Sequence, residues 1–172
     1  MKYPQGKGFR PTMDKVKEAL FSILADGIRD ALVLDLYAAS GGLGLEALSR
    51  GAKRVVFVEK SRRASILLRE NIRLLGLEEQ TEIAVMDVQR YLVQSEFSAT
   101  HVFCDPPYLT GLASETLSSL SSYPGLRKET VIIMEHALDE VLDIPSTFTL
   151  FKRKGYGDTQ LSFICKNERR AN

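Results

Sequence analysis

Apolar residues along this chain recur in two rhythms, and the switching between them sorts the sequence into elements. Val16, Ala19, Leu20, Ile23 and Leu24 fall at i, i+3, i+4, i+7 and i+8, the stripe of a helix that turns one face to a core. That helix is expected from about Thr12 as N-cap, with Asp14 in the first turn near the positive end of the dipole. Leu32 to Tyr37 is a short apolar run, the pattern of a buried strand. It breaks into Ala38-Ala39-Ser40-Gly41-Gly42-Leu43-Gly44 and resumes as a helical pattern through Leu45, Ala47 and Leu48, which closes at Arg50-Gly51-Ala52. Val55 to Val58 predicts a second strand. Ser61 caps a third helix with Ala64, Leu67, Leu68 and Ile72 on its apolar side, and Gly76 is a natural stop. Glu82 to Met86 predicts strand three, Val88 to about Val93 a short helix, and His101 to Cys104 strand four. A helix over Ala113 to Leu120 and a strand over Val131 to Met134 complete the alternation.

Strands and helices that alternate in this way imply a parallel sheet with right-handed crossovers and helices on both faces. The end of the chain breaks the rhythm. Phe148 to Arg153 and Leu161 to Cys165 flank Gly155-Tyr156-Gly157-Asp158 with no helix between them, which predicts an antiparallel hairpin added to the parallel sheet. Met1 to Pro11 carries Lys2, Lys7 and Arg10 among two glycines and two prolines and reads as an extended basic arm; residues 12–172 read as a single domain.

Composition changes this picture little. The apolar share of 44% and charged share of 26% are those of an ordinary globular protein. A net charge of +1 means that any anion-binding surface must be local. Residues 1–17 supply one, with five cations against Asp14 alone. Cys104 and Cys165 lie far apart inside apolar runs and read as reduced thiols, and no run approaches the length of a membrane span or a signal-peptide core, so a cytoplasmic protein is expected. His101 and His136 have no third ligand type beside them and read as structural, so no metal is expected.

Candidate chemistry gathers where strands are expected to end. A Gly-rich turn between a strand and a helix opens a nucleotide-binding unit, with glycines where the backbone turns sharply and a ligand comes close. Glu59 ends the second strand 20 residues beyond Ala39, the place from which a carboxylate accepts both hydroxyl hydrogens of a ribose diol; the alternative is a surface Glu paired with Lys60 or Arg62. Asp87 follows the third strand and suits either an adenine amino group or the N-cap of the helix at Val88, and both roles can hold together. Asp35, inside the first strand, would be costly to bury unpaired; it is expected to accept from loop N–H groups or from a ligand's ammonium. Asp105-Pro106-Pro107-Tyr108 is the most specific signal in the chain. Two prolines donate no N–H and fix φ, so this bend is stiff and its carbonyls are left to accept. A carboxylate beside such a carbonyl suits the two hydrogens of a planar exocyclic amine, and the ring of Tyr108 can stack on the base that bears it.

This order of Gly-rich turn, Glu59, Asp87 and Asp-Pro-Pro-Tyr resembles the class I S-adenosylmethionine-dependent methyltransferases that modify exocyclic amines. More closely, the segments Arg10 to Leu24, Leu34 to Ala52 and Tyr156-Gly-Asp-Thr159 resemble the RsmD-type family of bacterial 16S rRNA guanine-N2 methyltransferases. The similarity runs from about Phe9 to the last strand. It implies a Rossmann-like α/β fold whose seven-stranded, mostly parallel sheet ends in the antiparallel hairpin. It implies S-adenosylmethionine as cofactor at Asp35, Ala39, Ser40, Gly41, Gly44, Glu59, Lys60, Asp87 and Val88, and catalysis at Asp105, Pro106, Pro107 and Tyr108. It implies RNA contacts at Lys7, Arg10, Thr12 and Lys15, with ribosomal RNA or a small-subunit ribonucleoprotein particle as partner and a monomeric enzyme. Two departures stand out. Ala39 occupies a position where the family usually has Gly, which costs about 1 kcal/mol or more if φ is positive there. The family's basic strand ahead of Arg-Pro-Thr is represented only by Met1 to Gly8.

On this reading Asp105 and the Pro106 carbonyl hold the amine and turn its lone pair toward the methyl, and Tyr108 fixes the base plane. The alternatives are a methyltransferase acting on an exocyclic amine of DNA or of another RNA, a nicotinamide-dependent oxidoreductase, and a non-catalytic binding protein of the same fold. The DNA enzymes commonly carry a target-recognition insertion for which no segment here is long enough. The oxidoreductase leaves Asp-Pro-Pro-Tyr unexplained, and Ala39 is the only support for the binding protein.

Overall fold

The computed structural model describes residues 11–167. Lys7, Arg10 and the rest of the expected arm, like the side chain of Thr12, lie outside the described residues. Helix α1 spans Pro11–Leu24. It starts one residue ahead of Thr12, which is therefore inside the first turn and not its cap. Proline suits that first helical position, where its missing N–H has no intrahelical partner to lose.

Strands β1 (Leu32–Leu36), β2 (Arg54–Val58), β3 (Thr81–Ala84), β4 (Ala99–Cys104) and β5 (Leu126–Ala137) run parallel, and β6 (Phe148–Tyr156) and β7 (Thr159–Lys166) complete one seven-stranded sheet in the order β3-β2-β1-β4-β5-β7-β6. β7 pairs antiparallel with β5 and with β6, so the hairpin forms the edge as expected. Both hairpin strands are longer than the apolar runs that announced them. Gly155 and Tyr156 belong to β6, and Gly157, at φ 60°, with Asp158 suffices for the turn. β5 likewise begins five residues before Val131: Leu126 pairs with Ala99, and the polar stretch Arg127-Lys128-Glu129 lies in the irregularity between that pair and the pairing of His101 with Val131.

Successive residues of a strand face opposite sides, and the two cores follow from that. Leu34, Leu36, Val56, Val58 and Val102 pack beneath α4 (Val88–Gln94) and α5 (Leu112–Ser122). Val33, Val55, Phe57 and Phe103 pack beneath α1, α2 (Gly42–Ser49) and α3 (Arg62–Leu75). Phe21 of α1 meets Phe103 of β4 edge to face, with ring centroids 5.8 Å apart. α3 begins and ends where the sequence predicts: the Ser61 hydroxyl accepts from Ala64 N at 3.3 Å and Gly76 stops it in the left-handed conformation. Two short 3₁₀ turns, Ala25–Ile28 and Glu78–Gln80, are too brief to leave a periodic signal. Cys104 and Cys165 are both free thiols. His136, buried, is bonded to Ala137 O and Ser162 Oγ, each at 2.9 Å. Among the described residues no helix is long and apolar enough to cross a membrane.

Candidate active site

The chain runs outward from β1 to β3 on one side and from β4 onward on the other, so the strand order reverses between β1 and β4. Ligands of open α/β sheets bind beyond the carboxyl ends of the strands at such a reversal. The register sharpens this. Leu36 pairs with Val58 and with Cys104, and Cys104 pairs with Met134. One residue further along, Tyr37, Glu59, Asp105 and Glu135 stand in a row on four adjacent strands, and all four line one cavity of about 680 Å³. That volume is ordinary for a small-molecule site.

The Gly-rich turn forms one wall. Ala39 takes φ 47° and Tyr37 φ 63°, both in the left-handed region that L side chains avoid. The Ala39 N–H donates to Glu59 Oε2 at 2.8 Å, while Ser61 N donates to Glu59 Oε1 at 2.6 Å. Glu59 is thus bound to backbone on both sides and not to Lys60 or Arg62. A carboxylate has about four lone-pair sites, so each oxygen keeps one for a ligand hydroxyl. Asp87 also faces the cavity while it caps α4, accepting from Gln89 N at 2.9 Å; of the two roles weighed from sequence, the cap is the one observed.

Of the residues named from sequence, the cavity brings together Ala39, Glu59, Lys60, Asp87, Val88 and the whole Asp105–Tyr108 segment. Asp35, Ser40, Gly41 and Gly44 are buried outside its lining, and Lys15 is exposed on α1. Both glycines are closely packed, and Gly41 also takes φ 86°. A Cβ on Gly41 would stand 2.5 Å from the Leu68 side chain, and one on Gly44 2.3 Å from the Phe57 ring. Asp35 meets the first partner allowed for it: Oδ2 accepts from Gly44 N at 2.9 Å. Only 2% exposed, its carboxyl is pushed up to about 7 by burial, against the pull of the Gly44 bond, with the Glu59 charge adding to the rise.

The opposite wall is the stiff bend. The Thr110 hydroxyl donates to the Pro107 carbonyl at 2.7 Å, so of the two proline carbonyls left to accept, that of Pro107 already has a donor. Tyr108 donates its hydroxyl proton to Glu135 Oε1 at 2.7 Å, and Thr159 Oγ1 lies 3.0 Å from the Tyr108 hydroxyl oxygen. Burial raises both the Tyr108 phenol and the Glu135 carboxyl above their ordinary ranges. Tyr37, whose hydroxyl is 2.6 Å from Thr116 Oγ1, is pushed up to about 12 by burial. Sequence reasoning missed Val16, Tyr37, Glu135, Asp158 and Thr159 as lining residues. A signal existed for Glu135, an acid directly after the apolar run Val131 to Met134, as Asp105 follows His101 to Cys104. Val16 and Thr159 look like ordinary core and turn positions until the chain is folded. The cavity therefore offers carboxylates suited to a diol and an amino group at one end. At the other it offers a carboxylate, a fixed aromatic ring and a stiff carbonyl, suited to a flat base carrying an amine.

Known proteins of this kind exist. A family model described as Conserved hypothetical protein 95 matches residues 1–165. The chain is 37% identical over 155 residues to the Ribosomal RNA small subunit methyltransferase D of Haemophilus influenzae, covering 88% of this chain and 80% of that protein. The solved structure of yhhF from Escherichia coli superposes with a TM-score of 0.87 at 30% identity, over 98% of this chain and 92% of that one. An RNA methyltransferase from Salinibacter ruber, solved in complex with S-adenosyl-L-homocysteine, shares the fold at a TM-score of 0.69 and 15% identity, over 100% of this chain and 98% of that one.

Proposed function

Because the chain belongs to the Conserved hypothetical protein 95 family, the RsmD-type methyltransferases, we propose that it transfers a methyl group from S-adenosylmethionine to the exocyclic N2 of a guanine in 16S rRNA. The observation that carries the reading is the shared row: Glu59 and Asp105 stand one residue past the positions on β2 and β4 that both pair with Leu36 of β1, in one cavity with Tyr108. The lone pairs left on Glu59 suit the ribose diol of the cofactor, Asp87 and Val88 its adenine, and Ala39 and Lys60 complete that end. Bound there, the cofactor supplies an electrophilic methyl, so the chemistry asks for no metal and no covalent nucleophile.

The protein's own part is to orient and to stabilise. An exocyclic amine is a poor nucleophile because its lone pair is delocalised into the ring. Asp105 and the Pro106 carbonyl accept its two hydrogens and hold the nitrogen where its lone pair points into the cavity. The carboxylate charge also favours the positive charge that develops on that nitrogen. Tyr108 fixes the base plane, and positioning of this kind is worth up to about 7–11 kcal/mol of barrier. A guanine in folded RNA must be splayed out to reach that ring. The path proposed for the RNA backbone follows Lys7, Arg10, Thr12 and Lys15, and it is supported by Val16, next to Lys15, facing the cavity.

The test is tritiated methyl transfer to small-subunit rRNA and to assembled particles, with Asp105→Asn and Asp105→Ala beside the wild type. Both variants should lose about 10²–10³-fold in kcat while binding S-adenosylmethionine calorimetrically as the wild type does. A fully active Asp105→Ala removes the mechanism, and methyl transfer into duplex DNA but not into either RNA substrate removes the proposed function.

A further inference from the structure

The hairpin strand β7 reaches the cavity beside its turn, through Asp158 and Thr159, and Thr159 meets the ring that the stiff bend presents. Tyr108 is held at its far end by two groups, the Glu135 carboxylate on β5 at 2.7 Å and the Thr159 hydroxyl on β7 at 3.0 Å. A phenol has one proton to give. With that proton directed to the carboxylate, the Thr159 hydroxyl is the donor in the second bond, and the two contacts together select one ring orientation. The near end is no looser. Two prolines precede the ring, Leu109 follows it in left-handed backbone at φ 56°, and the Leu109 N–H donates to Glu140 Oε2 at 3.2 Å. Tyr108 as a residue nonetheless remains 38% exposed and lines the cavity, so it is gripped at its hydroxyl without being enclosed.

Glu135 is an unusual residue to find here. Its chain neighbours Met134 and His136 are 0% and 1% exposed, and its own burial disfavours the charged form. Glu135 is partly buried, which costs its carboxylate solvation, and the Tyr108 hydroxyl is the bond that opposes this cost. The contact is charge-assisted, the stronger class of hydrogen bond, and because a phenol's O–H prefers to lie in the plane of its ring, partners fixed on two sides of the oxygen favour one ring plane.

We propose that Glu135, seconded by Thr159, is a positioning residue for methyl transfer, which sets the plane of the Tyr108 ring against which the target base stacks and acts through that ring alone. The proposal rests on the methyl-transfer reading above, and it makes the antiparallel hairpin a working part of the site and not only an edge of the sheet.

A double-mutant cycle tests it, with Glu135→Ala, Tyr108→Phe, the double variant and Glu135→Gln compared with the wild type after near-ultraviolet circular dichroism has shown each to be folded. Glu135→Ala lowers kcat for rRNA methylation roughly 10-fold, the loss of one charge-assisted hydrogen bond, with KM for S-adenosylmethionine unchanged. Tyr108→Phe has a loss of similar size, and the double variant is no slower than Tyr108→Phe. Glu135→Gln, which keeps an acceptor, recovers most of the rate. Losses that multiply in the double variant, or a fully active Glu135→Ala, overturn the proposal.

A second readout needs no RNA. In protein carrying ¹³C at the tyrosine ζ carbon, the Tyr108 signal is the one that Tyr108→Phe removes. In Glu135→Ala it moves and titrates at lower pH, because the Glu135 charge and bond are gone while Asp105 and Thr159 still face the phenol. An unchanged Tyr108 signal overturns the positioning proposal even where methyl transfer persists. A wild type that methylates no RNA but shows the expected spectral change sinks the methyl-transfer reading instead.

Discussion

Asp35 shows how much one buried atom pair can govern. Its carboxyl lies under the Gly-rich turn, holds the Gly44 N–H at 2.9 Å, and has its pKa lifted from 3.8 to about 7, burial being the largest cause. A group whose folded pKa is raised binds its proton more tightly in the folded state. Its contribution to stability is therefore complete below about pH 4, declines as pH rises, and is gone above about pH 7, with a slope of up to about 1.4 kcal/mol per pH unit between. Asp35→Asn keeps an acceptor for Gly44 and removes the titration. Urea midpoints of the two proteins from pH 4 to pH 8 should differ in slope within that window and run parallel above it; parallel curves throughout would show that the carboxyl does not titrate there. Ala39 is the opposite kind of residue. It has almost no chemistry of its own, yet at φ 47° its N–H is turned onto Glu59 and helps place the carboxylate.

Among the elements, the α2–β2 contact is the most exacting. Gly44 lies in the first turn of α2, and the ring of Phe57 and the methyls of Val55 occupy the space where a side chain would begin. Gly44→Ala must push the helix off the strand or drive Phe57 from its rotamer, a loss of about 1–3 kcal/mol. Because the Gly44 N–H is also the partner of Asp35, the shift should reach the turn. Chemical denaturation is expected to show the loss in stability, with weaker S-adenosylmethionine binding by calorimetry beside it. A variant as stable as the wild type would mean that α2 has room to move. Gly42, with nothing within 4 Å of a built Cβ, is the matched control and should tolerate Ala better.

At the scale of the whole molecule, one continuous sheet carries Glu59, Asp105 and Glu135 at or just past the ends of its strands. The two cores lie on its two faces and share every strand between them, since Val33 belongs to one and Leu34 to the other. We propose on that ground that residues 12–172 unfold as one domain. Thermal unfolding followed by far- and near-ultraviolet dichroism should give coincident transitions, and the calorimetric and van't Hoff enthalpies should agree. Separated transitions would mean that the hairpin edge melts independently of the parallel sheet. The site inherits this cooperativity, because Glu59 is set by β2, Asp105 by β4 and the hold on Tyr108 by β5 and β7.

Local patterning was enough to read the strands at Leu32, Val55 and His101, the caps of α3, the N-cap at Asp87 and the terminal hairpin, because each depends on neighbours within a few residues. Tertiary packing alone decided that Gly44 answers to a neighbouring strand, since it meets Phe57 across thirteen residues of chain. It also decided the extent of β5 and β7, which cross-strand partners extend into polar sequence. The capture of Tyr108 by Glu135 and Thr159 spans 27 and 51 residues. No spacing rule links side chains so far apart; only the order in which strands are laid side by side brings them to one oxygen atom.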